Sequence, residues 1–439
     1  MSGAGSLSGP EAPSGLPRDP NLRATAVALA ILIASSAIDF LTHTLLGRWL
    51  GERDYGEYGV ALSLTLLLGY VACMGGDESV PRFLPAYRAR KSWGLVIGFL
   101  RSQLALVVLT GSLVVVAGLL VVEFLPAVKL PHPAIIGLFI VPMAALSEFL
   151  FVTLNSLGRT VTAAFFHQVA WPLVALGACG TLVLARGHLT TELAMIGFAL
   201  GALSTLPIYG ILVHQALPRG AWQTRPKYHM GLWVRTALPM AMATVVYYGF
   251  DQIDLLVMEH VGDENQVGIL LACIKITDFV YLSYSAAYLV VSPRISPLVA
   301  SGRTEELRRL VTSTIRAVFL VSSAVSLLAI FFGQTILGWF GPGFVNGEPV
   351  LIIMALSNVG VATLSLSWPL LSLTGRERVP LAGLIVAALA LLVLAEVLVP
   401  EWGMIGAAVA KSVVNLGLFA FLSWQARKTP SHLPRGEEF

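Results

Sequence analysis

The chain has 439 residues, 56% of them hydrophobic and 12% charged, with a mean hydropathy of +0.79 and a formal net charge of +3. A soluble domain carries about 25% charged residues, so a water-soluble fold is excluded, and with the charge sorted by side rather than pooled in one patch, nucleic acid is not indicated. Cys73, Cys179 and Cys273 lack metal-ligand spacing and carry no redox argument.

Residues 1–22, rich in Gly, Ser and Pro, read as a flexible tail without a basic region followed by a cleavage site, so the first apolar helix is expected to act as an uncleaved signal anchor. Apolar runs long enough to cross a bilayer as helix then follow at about 24–46, 56–76, 95–122, 133–156, 162–184 and 190–215. After a polar stretch at 217–231 they resume at about 232–258, 265–291, 310–338, 349–373, 379–399 and 403–425. The runs are continuous rather than alternating, which selects helices over a membrane barrel. The sequence therefore predicts an all-α integral membrane protein with a lobe at 23–216, a linker at 217–231, a second lobe at 232–426 and a tail at 427–439.

The two sets of six are related. Pro81-Arg82-x-x-Pro85 recurs as Pro293-Arg294-x-x-Pro297, each frame expected just past an apolar run, and at the same offset Gly56 falls on Gly268 and Asp39 on Asp251. Met195-Ile196-Gly197 likewise recurs as Met404-Ile405-Gly406. An even number of helices per repeat keeps both copies in one orientation, so the lobes should be related by a pseudo-two-fold axis along the membrane normal, as in several transporters. The basic residues gather on one side, at Arg82, Arg88, Arg90, Lys91, Arg159 and Arg225 among others. The opposite loops carry Glu52, Asp54, Glu57, Asp263 and Glu264. By the positive-inside rule both termini are cytoplasmic. No phosphate-binding loop, His-Glu-x-x-His or Cys-x-x-Cys occurs. The expectation is a transporter rather than an enzyme, with no catalytic residue, metal site or cofactor.

The stretch Arg48-Trp-Leu-Gly51-Glu-Arg-Asp-Tyr-Gly56-Glu-Tyr58, with Val80-Pro-Arg-Phe-Leu-Pro-Ala-Tyr87, resembles the start of Wzx-type polysaccharide flippases of the MOP exporter superfamily. Phe340-Gly-Pro-Gly-Phe344, Leu373-Thr-Gly-Arg376 and Pro400-Glu-Trp-Gly-Met-Ile-Gly-Ala-Ala408 extend the resemblance from about 24 to 426. It implies a two-lobed, V-shaped, MATE-like carrier of about twelve helices that moves an undecaprenyl-diphosphate-linked oligosaccharide across a bacterial cytoplasmic membrane. Membrane lipids, a polysaccharide polymerase and chain-length proteins are the implied partners. Flippases of the MurJ type are relatives but typically have fourteen helices. Multidrug MATE exporters share the fold and sometimes place an Asp in the first helix, as Asp39 is here. Their loop signatures differ from Leu50-Gly-Glu-Arg-Asp-Tyr-Gly56, and a cation- or proton-coupled antiporter of that kind is the alternative.

Charges at membrane depth are costly and mark functional candidates. Lys275 and Lys411 fall near the middle of the eighth and twelfth runs, where a lysine could meet a crossing diphosphate. The structural alternative pairs Lys275 with Asp278, three residues on. Asp39, Asp251, Asp254 and Asp278 are candidates for ion coupling, with cross-lobe pairing to lysines as their structural alternative. Arg82 and Arg294 either receive the diphosphate at the inner mouth or anchor the chain to headgroups. His43, His167 and His214 lack ligand spacing and read as packing residues or as hydrogen-bonded to a neighbour, with His43 set apart by lying one turn beyond Asp39. Aligning the repeats sets Lys275, Asp254 and Asp278 against Ser63, Thr42 and Leu66, and Lys411 against Ala202.

Overall fold

A computed structural model of the chain describes residues 20–124, 132–301, 303–374 and 376–428. Most of the two expected tails, with Arg18, Lys129 and Arg435, lies outside the described residues. The regular structure among the described residues is helical: α1 (Pro20–Cys73), α2 (Gly76–Ala89), α3 (Trp93–Phe124), α4 (His132–Ser156), α5 (Thr160–Phe165), α6 (Trp171–Arg186), α7 (Thr191–Ala216) and α8 (Arg219–Trp222) in the first half. The second half holds α9 (Met230–Val261), α10 (Glu264–Ala300), α11 (Thr304–Phe331), α12 (Gly333–Phe340), α13 (Glu348–Leu364), α14 (Ser367–Leu373) and α15 (Arg378–Arg427).

Nine of the described helices are long and apolar enough to cross a membrane. Two of these run for 48 and 50 residues, more than twice the length a bilayer needs. They fold back at Gly51, with φ of 78°, and at Gly403, with φ of 56°, a left-handed backbone that glycine adopts without steric cost. Each therefore supplies two crossings. Adding α9, as long as its neighbours but carrying Asp251, Asp254 and Glu259, gives the twelve that the apolar runs predict. The protein is a multi-pass membrane protein of two six-helix lobes.

One expected crossing differs in extent: the run at 310–338 is cut at Phe332, so α11 ends at Phe331 and α12 is a separate short helix. The Pro-Arg-x-x-Pro frames lie past the apolar runs at 56–76 and 265–291 and are themselves helical, Pro81 and Pro85 in α2 and Pro293 and Pro297 in the last turns of α10. The two copies also differ, since α10 is continuous while the N-lobe helix breaks at Met74 (φ 48°) and Gly75 (φ 72°) before α2 begins. A Cβ at Gly75 would strike the Ala237 carbonyl oxygen, so α9 packs directly on the break.

The lobes meet along α1 and α10. Gly56 and Gly268, equivalent by the repeat, face each other so closely that a Cβ on either meets the backbone of the other's helix. Arg53 Nη2 bridges to Glu264 Oε2 across the same seam at 2.7 Å. Next to it Tyr55 packs against Phe340 and Phe344, with ring centroids 6.2 and 5.8 Å apart, and Gly343 makes room for the Glu52 carboxylate. The motifs around Tyr55 and Phe344 are thus two sides of one gasket. At the opposite, basic end, Trp233 Nε1 donates to the Tyr87 hydroxyl at 3.0 Å, joining α9 to α2.

Candidate functional site

Two adjoining cavities flank the seam: the first lies within the N-lobe and is closed by Lys275 from α10, and the second lies mainly within the C-lobe with α1 as its far wall. The first, about 290 Å³, is lined by Asp39, His43, Tyr70, Glu148, His167 and Lys275 among others. The second, about 330 Å³, is lined by Asp251, Asp254, Asp278, Lys275, Lys411 and Asn415 among others. His43, Leu62, Leu66 and Lys275 belong to both walls, so the cavities adjoin at Lys275.

Lys275 on α10 does not pair with Asp278. Its Nζ lies 3.1 Å from Asp39 Oδ2 on α1, an ion pair that crosses from one lobe to the other. The three-residue spacing to Asp278 permits a contact along α10, but Asp39 offers a carboxylate pointing straight across the seam. His43, one turn after Asp39, holds its Nε2 3.6 Å from Asp39 Oδ1 and its Nδ1 2.9 Å from the Tyr55 hydroxyl, which ties the pair to the gasket. Asp278 is exposed to the second cavity, and no hydrogen bond or ion pair joins it to another described residue.

Lys411 makes a different arrangement, closed within the C-lobe. Its Nζ reaches Asp254 Oδ1 at 3.2 Å and donates to the carbonyl oxygens of Phe250 and Asp251 at 3.2 and 3.0 Å. The Asp251 carboxylate stands at 4.0 Å, and the ammonium lies 5.0 Å from the Phe250 ring centroid. Each of these helical carbonyl oxygens has a second lone pair with which to accept from the ammonium beside its own helical hydrogen bond. The Asp254 side chain is 2% exposed and that of Asp251 52%, so of these two it is Asp251 that presents a carboxylate edge to the cavity, as Asp278 does.

Asp39, Asp251 and Asp254 therefore do not form one cluster: Asp39 lines the first cavity and the other two line the second. Arg82 and Arg294 are exposed at the basic end and line neither cavity. The cavities hold five carboxylates, at Asp39, Glu148, Asp251, Asp254 and Asp278, against two lysines.

The sequence does not name the partner of His167. His167 Nε2 lies 3.5 Å from Glu148 Oε2 in the first cavity, and His167 sits on a single widened turn at Phe166–Ala170. Pro172 follows at the start of α6; lacking an N–H and crowding the carbonyl four residues back, it disfavours ordinary helical turns there. Such widened turns gather at functional sites, and Pro172 was the one local signal for it.

Comparison with known proteins agrees with this architecture. The MatE family model matches residues 239–395. Among solved structures, an inward-facing multidrug resistance MATE transporter of the MOP superfamily superposes with a TM-score of 0.71 at 12% identity, over 94% of this chain and 100% of that one. The lipid II flippase MurJ, in an inward closed conformation, gives 0.67 at 15% identity over 91% and 87% of the two chains. A MOP-superfamily transporter from Pyrococcus furiosus, described as having a binding pocket of reverse polarity, gives 0.65 at 13% over 94% and 96%. No curated protein sequence matches. At these identities the likeness establishes the fold, which is that of MOP-superfamily transporters.

Proposed function

We propose that the protein is an alternating-access transporter that moves an undecaprenyl-diphosphate-linked oligosaccharide from the inner to the outer leaflet of a bacterial cytoplasmic membrane, with both termini cytoplasmic. The observation that carries this reading is that two lysines line the cavities, Lys275 both and Lys411 the second, and that Lys275 is held by the half-exposed Asp39 carboxylate, which phosphate oxygens can replace. A diphosphate entering beside Lys275 would compete with Asp39 for its ammonium. Loss of that cross-lobe pair frees the lobes to rock, with 23–216 and 232–426 as the moving units. Arg82 and Arg294 would receive the headgroup at the basic end, and a polymerase and chain-length proteins would take the product. Asp39, Asp251, Asp254 and Asp278 are the groups that could take up a proton or cation when a lysine leaves.

A second reading, export of a small organic cation in exchange for protons or cations, is favoured by the excess of carboxylates over lysines in the cavities and by the MatE match. Purified protein in liposomes separates the two. Flipping of a fluorescent undecaprenyl-diphosphate oligosaccharide that is lost in Lys275→Gln supports the first. Absence of flipping, together with gradient-driven export of an organic cation, overturns it.

A further inference from the structure

The second cavity continues as an aromatic face. Asp278 is followed along α10 by Tyr281, Tyr284 and Tyr288 at steps of three and four residues, which places the three rings on one side of the helix. Tyr281 lines the cavity, its ring lies 5.0 Å from that of Tyr284, and Tyr284 lies 6.0 Å from Tyr288 with the two planes only 27° apart. Tyr247 and Trp368, centroids 5.9 Å apart, stand on the same cavity wall. From Tyr281 to Tyr288 the rise is roughly 10 Å, leading from the cavity toward the basic end.

The internal repeat shows that these rings are additions. At the offset that sets Gly56 on Gly268, the tyrosines fall on Gly69, Ala72 and Gly76. In the N-lobe those positions hold small residues in ordinary contact with their neighbours, Gly69 near Ala144 and Gly76 near Gln103 and Phe149. Where that lobe has small side chains, this one carries three rings. None of the three is fully buried, so their surface is not committed to a core.

The polar groups of the wall narrow the ligand. Asp251 and Asp278 accept hydrogen bonds, Lys275 donates them, and Gln252, Asn358 and Asn415 do both. An organic cation needs aromatic faces and acceptors, so three side-chain amides and a lysine would be wasted on it. A chain of sugars needs mixed donors and acceptors for its hydroxyls, and aromatic faces for the polarised C–H groups on its rings, because the face of an aromatic ring is the negative end of its quadrupole. This accounts for the carboxylates as hydroxyl acceptors rather than as counter-charges to the cargo.

We infer that the face formed by Tyr281, Tyr284 and Tyr288, with the Asp278 carboxylate at its head, is a binding track for the sugar residues of the cargo, separate from the lysines that meet its diphosphate. The inference rests on the flippase reading. Its test uses proteoliposomes and two probes, a synthetic undecaprenyl diphosphate carrying a tetrasaccharide and the same lipid diphosphate without sugar. The expected result is that Tyr281→Ala/Tyr284→Ala slows flipping of the sugar-bearing probe about tenfold, while the sugar-free probe moves as in the wild type. Tyr281→Phe/Tyr284→Phe, which keeps the rings, should retain most of the rate for both. Equal slowing of both probes, or no slowing of either, overturns the track and leaves the flippase reading standing. If the wild type moves neither probe, the flippase reading fails and the track with it. Should the double alanine variant then also impair export of tetraphenylphosphonium, the rings serve a cation instead.

Discussion

The two lobes agree where they touch and disagree where they enclose space. Near the acidic end Gly56 meets Gly268, and a Cβ on Gly59 would run into Leu271, its own equivalent in the repeat. A pseudo-two-fold axis passes through that seam, and residues on an axis are constrained by their own copies. Away from it the copies are free to diverge. The N-lobe helix is cut at Met74 and Gly75 while α10 runs on through two prolines, and Ser63 and Leu66 stand where α10 has Lys275 and Asp278. Duplication thus supplies the seam, and the asymmetry supplies the charged groups of the cavities.

The same contrast separates the two lysines, and the largest expected effect comes from Lys411. Its partner Asp254 is almost fully buried, so Lys411→Ala leaves an uncompensated charge inside the lobe and should cost about 3–5 kcal/mol of stability. Thermal unfolding in detergent would measure this, and Lys411→Met combined with Asp254→Leu should recover most of the loss. A lysine removed without a drop in melting temperature would show that Asp254 finds another partner.

The seam ranks next. Gly268→Val puts a branched side chain against the backbone around Glu52, where overpacking costs roughly 1–3 kcal/mol, and the lobes should part at the acidic end. Spin labels at Arg53→Cys and Asn265→Cys would report the separation. Gly210→Ala, a mid-helix glycine with nothing within 4 Å, is the control: it should leave the distance unchanged and, if anything, raise stability by up to about 1 kcal/mol.

Lys275 should behave unlike Lys411 although both are lysines at membrane depth. Asp39 is 49% exposed at its side chain, so breaking the pair strands no buried charge, and Lys275→Gln should shift stability by less than about 1 kcal/mol. Transport should nevertheless fall, because the pair couples the lobes. Exchanging the charges, Lys275→Asp with Asp39→Lys, should restore the cross-lobe contact but not the encounter with an anionic cargo. Recovery of full flipping in the exchanged variant would remove Lys275 from the cargo path.

The crossings were legible because bilayer thickness imposes one length on every apolar run, and the lobes because the chain repeats Pro-Arg-x-x-Pro and the glycines of the seam. Lys275 and Lys411 could be placed at membrane depth from residue counts alone. Their partners could not. Asp278 is near Lys275 in sequence, whereas Asp39 comes from another lobe, and choosing between them needs the relative rotation of α1 and α10. The same limit hid Glu148 and His167, which share no spacing and meet only because the turn before α6 is widened. Tyr281, Tyr284 and Tyr288 were visible as letters, but rings at helical spacing in a membrane protein normally face a core or lipid, and only the placement of Tyr281 on the cavity wall, with the other two rings in contact after it, distinguishes them.

The smallest effects belong to Arg82 and Arg294, the pair that first reveals the repeat. Both are exposed and outside the cavities, yet Arg82 rides on the separate α2 while Arg294 shares a single helix with Lys275. If each only anchors the bundle to anionic headgroups, it contributes about 1 kcal/mol. Arg82→Gln and Arg294→Gln should then weaken transport equally and slightly, and the difference should vanish in liposomes made of neutral lipid. If instead they receive the diphosphate, the loss should persist in neutral membranes and appear in the concentration of lipid substrate needed for half-maximal flipping. Unequal losses would carry the comparison further, because a headgroup bound at Arg294 is tied through one continuous helix to Lys275, whereas one bound at Arg82 is separated from the N-lobe cavity by the break at Gly75.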